Sequence, residues 1–255
     1  LTLQSNDYSV DDCRECIHVI NDYVLSEPLA NDEVETILRD DAFQKPVFFN
    51  KRGTFLFDKF AVYLKNNNHV IKINNQMHIY KDGIYINGIK YIESEMIKHI
   101  PNLNRSKRAE ILTYLDLLVT ENTQISNAKY IAFKNGIYNI ETDDFIDFSP
   151  EYVITNKINY EYVPGAYSEI ADKTLNKLSC NDKNIRALLE EVIGYTFYRR
   201  NELRKAFILI GDKSNGKSTY LDMIKSLLGD RNTAALDLKE LGDRFKTAEL
   251  FGKLA

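Results

Sequence analysis

The chain has 255 residues, of which 44% are hydrophobic and 27% are charged, and its formal net charge is −4. This length and composition predict a folded protein with one large or two to three small domains. No run approaches the roughly 18 apolar residues of a membrane span, so no membrane partner is expected. The net charge excludes a protein that is basic throughout, and any nucleic-acid contact must therefore come from local patches.

A small helical module is predicted for residues 1–45. Residues 9–24 have apolar side chains at helical spacing, and Ser9 is placed to cap the helix. Pro28 interrupts this pattern. A second short helix is expected after it, with Asn31 as the N-cap and acidic residues in the first turn.

The same module contains Cys13, Cys16 and His18, a spacing that suggests a zinc site. A structural zinc needs four ligands, however, and Cys180 is the only other cysteine in the chain. Cys13 and Cys16 also fall on one apolar helix face, as core cysteines do. We therefore expect two core cysteines, no disulfide framework and no metal.

Residues 46–100 predict a β-rich, winged-helix-like part. A helix is expected from 57, capped by Asp58, and is followed by short β-rich runs separated by the turn pairs Asn74-Asn75 and Asp82-Gly83. Lys72 and Lys81 lie in these runs. A wing that contacts a DNA backbone and an ordinary exposed hairpin explain them equally well.

Residues 101–200 predict a mixed domain, with a helix at 104–119, strands around the turns Asn135-Gly136 and Thr142-Asp143, and a helix at 181–200. Two basic clusters accompany these helices. The first could contact DNA phosphates, although a solvated helix face is the favoured interpretation. The second could line a subunit interface or balance the C-terminal helix dipole. The clusters are Arg105, Lys107 and Arg108, and Arg199, Arg200, Arg204 and Lys205.

A phosphate-binding loop is predicted at residues 211–219, "GDKSNGKST", which has the form G-x-x-x-x-G-K-S. The apolar run at 205–211 is typical of a buried parallel strand, and an amphipathic helix follows the loop. Gly211 and Gly216 would let the backbone wrap a phosphate with its N–H groups turned inward. The phosphates would then lie at the positive end of the helix.

The side chains of this loop predict ATP and Mg²⁺ as cofactors. Lys217 would place its charge on the β- and γ-phosphates and act in catalysis. The Ser218 hydroxyl would ligate the Mg²⁺ that the nucleotide brings. The residues assigned to the nucleotide are Gly211, Asn215, Gly216, Lys217, Ser218 and Thr219.

The loop "SNGKST" after "FILIGD" resembles the ATPase of phage and plasmid primase–helicases, which belong to helicase superfamily 3 and have the poxvirus primase–helicases as relatives. Residues 132–166, with an "NG" hairpin, an "SPE" turn and "ITNKINYEY", resemble the segment that precedes that ATPase. The run "LLEEVIGYTFYRRNELRKAFILIG" and the later "SLLGD" are similar to the same family. Residues 17–38 resemble, less specifically, the helical module that follows its primase domain.

The resemblance implies an ATP-driven DNA helicase, hexameric in the full-length protein, that acts in mobile-element replication in the cytoplasm of a bacterial host. The family's Walker B acids, sensor and arginine finger would lie beyond Ala255, and a primase domain could precede residue 1. We therefore expect this chain by itself to bind ATP poorly and not to hydrolyse it.

The fold class expected is α/β, with a mixed α+β N-terminal part and a partial P-loop NTPase core at 201–255. Two other functions remain open at this point. One is a non-enzymatic DNA-binding or oligomerisation collar whose loop does not function. The other is a P-loop kinase, which is disfavoured because the loop comes late, after a long mixed domain.

Overall fold

The computed structural model describes residues 9–39, 48–50, 52–200, 202–243, 246–250 and 252–255. The chain divides into two compact units, Leu1–Tyr80 with Ile86–Thr123, and Lys81–Tyr85 with Gln124–Ala255. Helices accompany two three-stranded antiparallel sheets, so the expected mixture of helix and strand is confirmed as an α+β arrangement. In the part of the chain that the structure describes, no helix is both long and apolar enough to cross a membrane.

The first two helices of the first unit are α1, Val10–Tyr23, and α2, Asn31–Ile37. Ser9 caps α1 as predicted, because its Oγ accepts the N–H of Asp12 at 3.0 Å. The predicted cap of α2 is wrong by one residue. Ala30 is the N-cap and Asn31 is already helical, because the carboxylate of Glu33 accepts the N–H of Ala30 at 3.3 Å.

The next elements form the first sheet and the helices around it. They are α3, Phe57–Asn67; β1, Ile71–Ile73; β2, Gln76–Lys81; β3, Ile84–Asn87; α4, Ile89–His99; and α5, Arg105–Leu118. Both predicted turn pairs are confirmed, since Asn74, Asn75, Asp82 and Gly83 all have positive φ between neighbouring strands. The helix α3 begins at residue 57 as predicted, but the predicted Asp58 cap is wrong, because Leu56 is the N-cap and Asp58 already lies in the first turn.

The core of the first unit lies where α3, α4 and α5 meet. Phe60, Leu64, Ile92, Ile111 and Leu115 are fully buried there. Phe48 packs edge-on against the Phe60 ring at 4.6 Å between centroids. This apolar cluster fixes α5, and with it the basic residues at the start of that helix.

His78 on β2 is buried in the first unit, and its Nδ1 lies 2.8 Å from the carbonyl oxygen of Gln76. Burial lowers the pKa of the imidazole below its ordinary value. The unfolded chain therefore binds the proton more readily, and stability is lost as the pH falls below about 6.5. We expect His78→Gln to flatten the fall in melting temperature between pH 7.5 and pH 5.

The matched control for this prediction is His69→Asn, which changes an exposed histidine whose positive φ an asparagine tolerates. This variant should keep the full acid-dependent loss of stability. An equal pH profile for wild type and His78→Gln would show that His78 does not produce the effect.

The second unit contains the second sheet and three helices. The strands are β4, Tyr130–Phe133; β5, Gly136–Asn139; and β6, Asp144–Ile146, which pair in that order as predicted around the two turns. The helices are α6, Glu169–Leu178; α7, Lys183–Phe197; and α8, Lys217–Leu228. Two 3₁₀ turns, Leu238–Gly242 and Thr247–Leu250, follow them.

The strand predicted at 205–211 is not formed among the described residues. Ile208 and Ile210 are 83% and 89% exposed, and the run has no sheet partner in the described part of the chain. A parallel strand exists only through hydrogen bonds to its neighbours. The apolar pattern of this run therefore indicates a strand that the described residues do not complete, and no parallel P-loop core is present among them.

The core of the second unit brings β4, α6, α7 and α8 together through Ile131, Ile158, Leu175, Val192 and Ile224. The segment after α8 is held by Asn232, whose side chain is completely buried. Its Nδ2 donates to the carbonyl oxygens of Leu228 at 2.8 Å and Lys157 at 2.9 Å. Its Oδ1 accepts from Asn156 at 3.1 Å.

We expect Asn232→Ala to destabilise the second unit by about 1–3 kcal/mol, because it leaves these buried polar groups without a partner. Denaturant unfolding measures the change. Asn159→Ala alters an exposed asparagine of the same unit and should remain within about 0.5 kcal/mol of wild type. Equal effects of the two substitutions would contradict this assignment.

Candidate nucleotide-binding loop and basic residues

The loop at 211–219 is shaped by residues with left-handed backbone conformations. Ser214 has φ of 60°, and Gly216, the N-cap of α8, has φ of 90° and ψ of 4°. A Cβ atom at position 216 would also collide with the Leu178 side chain. Glycine is therefore required here both by the backbone angle and by the close approach of α6.

Lys217 is the first residue of α8, and its ammonium group turns back over the loop. Nζ donates to the carbonyl oxygens of Gly211 at 2.8 Å and Asp212 at 2.7 Å, and to Oδ1 of Asn215 at 2.9 Å. Asn215 also lies close to Gly211, where a Cβ atom would meet its amide nitrogen. The loop thus closes around one positive charge, which is paired here with neutral oxygens.

The beginning of α8 adds a second source of positive potential. The first N–H groups of a helix have no intrahelical acceptor, and the helix dipole is positive at this end. Ser218 and Thr219 are exposed in this first turn. An ammonium group, free N–H groups and a hydroxyl at one helix end can together hold phosphate oxygens and one ligand position of a Mg²⁺ ion.

The position of the loop is fixed by the buried face of α8. Tyr220 is 2% exposed, and its hydroxyl donates to the carbonyl oxygen of Leu189 on α7 at 2.6 Å. Burial raises the pKa of this phenol, so it remains a neutral donor at physiological pH. Ile224 and Leu228 continue the buried face one and two turns later. Packing on α7 therefore holds the exposed residues of the first turn in place.

The basic residues of the first unit that are candidates for nucleic-acid contact differ in ion pairing and in exposure. Lys72 forms an ion pair with Asp116 at 2.7 Å and its side chain is 12% exposed, while Arg108 pairs with Glu93 at 3.0 Å. These two charges are neutralised within the protein. Lys107 is exposed and its Nζ lies 5.4 Å from the centre of the Phe55 ring, and Arg105 is exposed beside it. Lys81, at the end of β2, is partly buried.

The residues of the zinc hypothesis lie on α1. Cys13 is buried, and burial raises the pKa of its thiol. Nε2 of His18 lies 3.5 Å from Oε1 of Glu35. Across the described residues, no group of three or more His, Cys, Asp or Glu side chains is arranged to hold a metal ion.

The second basic cluster lies around the end of α7, where the sequence left two interpretations open. Arg199 inserts its guanidinium among backbone carbonyls, and Arg200 pairs with Glu202 at 2.9 Å. The sequence signal was the density of cations in "RRNELRK". The burial of Arg199 could not be foreseen, because its acceptors lie more than 70 residues earlier in the chain.

Comparison with known proteins places most of this chain in one family. The family model described as "D5 N terminal like" matches residues 36–194, which is more than half of the chain. The protein named "Putative helicase L207/L206" of Acanthamoeba polyphaga mimivirus is 28% identical over 107 residues. That stretch is 41% of this chain and 11% of the relative, so the chain is similar to a small part of a much longer protein.

Proposed function

Because the chain belongs to the D5 N-terminal-like family, we propose that it is part of a primase–helicase-like replication protein that couples ATP hydrolysis to DNA unwinding. The nucleotide site of this proposal is the loop 211–219, which lies C-terminal to the matched region 36–194. The name of the mimiviral relative supports helicase activity as the class of reaction.

The observation that most favours a nucleotide site is the enclosure of Lys217. Its Nζ is held within 2.9 Å of three neutral loop oxygens, at the positive end of α8. Phosphate oxygens are stronger acceptors for an ammonium group than carbonyl or amide oxygens, because they are charged. A triphosphate could therefore take over these contacts without any change in the fold around the loop.

In this proposal each loop residue has a separate role. Gly211 and Gly216 give the backbone its path, Asn215 holds Lys217 in position, and Lys217 stabilises charge on the transferring phosphoryl group. Ser218 would hold Mg²⁺, and the ion would neutralise part of the phosphate charge. Thr219 would contact the α-phosphate. Assignment to helicase superfamily 3 and a hexameric assembly are parts of the same proposal.

The test is ATP hydrolysis by the protein that contains these residues, measured as phosphate release with and without single-stranded DNA, together with unwinding of a forked duplex. We expect hydrolysis that single-stranded DNA stimulates, and unwinding that requires ATP. Hydrolysis that is indifferent to DNA, or phosphate transfer to a small-molecule acceptor instead of water, would contradict the helicase proposal and favour a kinase.

A further inference from the structure

A cavity of about 330 Å³ lies in the second unit, beyond the end of α7. Its volume is at the lower end of the roughly 300–1,000 Å³ that small-molecule sites occupy. Four of its lining side chains are cationic, three are aromatic, and none of the described lining residues has a carboxylate side chain. The lining residues that matter here are Tyr195, Tyr198, Arg199, Arg200, Lys205, Phe207 and Lys253. We call this site the cationic cavity.

Arg199 is the most unusual of these residues. One terminal nitrogen donates to the carbonyl oxygens of Ser126 at 3.1 Å and Asn127 at 2.8 Å, while the buried Nε has no hydrogen-bond partner among the described residues. No carboxylate among the described residues pairs with this side chain. Burial, with a smaller contribution from Arg200, lowers the pKa of Arg199 to about 10, so the group is still charged at neutral pH. A partly buried charge without a counter-ion is unfavourable and attracts an anion.

The neighbouring cations leave the positive charge largely uncompensated. Arg200 is paired with Glu202, but Nζ of Lys253 donates to neutral carbonyl oxygens, those of Arg231 at 2.8 Å and Asp230 at 3.4 Å. Lys205 is exposed and forms no ion pair within the described part of the chain. The favourable interaction of cations with a helix C-terminus explains why such residues follow α7. It does not explain a buried Nε that lacks an acceptor.

The aromatic side chains indicate which kind of anion fits. The Tyr195 and Phe207 rings pack edge to face at 5.9 Å between centroids, and Tyr198 lines the same cavity. Rings beside cations bind nucleotide units, because bases stack on aromatic faces while phosphates pair with lysine and arginine. We propose that the cationic cavity binds the phosphate of a nucleotide unit, with Arg199 and Lys205 as its anion ligands.

The phosphate could belong to a free nucleotide or to single-stranded DNA, and the two sources are tested side by side. Fluorescent dTMP and a fluorescent dT20 strand are titrated into Lys217→Ala protein, whose 211–219 loop no longer contributes. We expect at least one probe to bind. Lys205→Ala should weaken that binding about tenfold or more, the scale of one charge-assisted hydrogen bond. For dT20 the slope of log K against log salt should fall by about 0.7.

The matched control is Arg204→Ala, which removes an exposed cation one residue away that does not line the cavity. It should leave the affinity within about twofold. Lys205 is the first choice for substitution because it is exposed and Arg199 is not. Arg199→Gln is the second variant. Its binding data are used only if its melting temperature shows that the protein is folded.

Three outcomes would overturn the inference: no binding of either probe in the Lys217→Ala protein, equal losses for Lys205→Ala and Arg204→Ala, or a loss of self-association with unchanged probe binding. The last result would assign the cluster to a contact between copies of the chain. The expectation that the dT20 strand binds rests on the proposed function. Suppose that Lys205→Ala leaves probe binding unchanged while ATP binding still depends on Lys217. The proposal for the cationic cavity is then wrong, and the proposed function is unaffected.

Discussion

In the full-length protein, Lys217→Ala should lower ATP turnover roughly 100- to 1,000-fold, the scale observed when one preorganised group that stabilises transition-state charge is removed. The ammonium group already sits inside the loop, within 2.9 Å of Gly211, Asp212 and Asn215 oxygens. Its loss removes the positive charge from the place where the β- and γ-phosphates would lie. Nucleotide affinity, measured by calorimetry with Mg²⁺, should fall in the same variant.

Lys213→Ala is the control for this substitution, because Lys213 belongs to the same loop but is exposed. Removing its charge should leave turnover within about twofold of wild type. Turnover at a near wild-type rate in Lys217→Ala, with the protein folded, would exclude the loop as the catalytic nucleotide site. Equal losses in both lysine variants would reduce the role of Lys217 to general electrostatic attraction.

Gly216→Ala should have the largest effect on the loop itself. A residue with a Cβ costs roughly 1–2 kcal/mol at this left-handed φ of 90°. The overlap with Leu178 adds about 1–3 kcal/mol. We expect a lower free energy of unfolding together with loss of nucleotide binding, because α8 can no longer begin at Lys217 in the same geometry.

A double-mutant cycle separates the two costs. Adding Leu178→Ala should recover the steric part of the Gly216→Ala penalty, relative to Leu178→Ala alone, but not the backbone part. Gly194→Ala in α7 is the matched control, since a Cβ there meets nothing within 4 Å. That helix-interior change should be neutral or stabilise by about 0.5–1 kcal/mol. Full additivity of the Gly216 and Leu178 substitutions would show that the side chains do not compete for space.

The features that the sequence predicted well are those determined by a few neighbouring residues. The Ser9 cap depends on Asp12 three residues away, and the turns at Asn74-Asn75 and Asp82-Gly83 depend on residues that tolerate positive φ. The helix after the loop was expected from local periodicity and is present as Lys217–Leu228. In each case the hydrogen bonds or backbone angles are determined by residues only a few positions apart in the sequence.

The features that could not be predicted from the sequence depend on contacts between residues far apart in the chain. The ion pair of Lys72 with Asp116 joins residues 44 positions apart, and Arg199 reaches carbonyl groups of Ser126 and Asn127. The run 205–211 has the composition of a buried strand, but strand formation requires pairing that composition cannot supply. Helix α4 was overlooked because it begins at Ile89, directly after β3 and Gly88, where the apolar pattern of the strand continues.

The central claim, that residues 211–219 hold the phosphates of ATP, is tested most directly by residue-resolved amide hydrogen exchange of the full-length protein with Mg²⁺ and a non-hydrolysable ATP analogue. Phosphate binding should protect the N–H groups of Asn215 to Thr219, which face the positive end of α8. The strands β4 and β5 serve as an internal reference and should not change. Unchanged exchange in the loop at saturating nucleotide, or protection confined to another segment, would contradict the account.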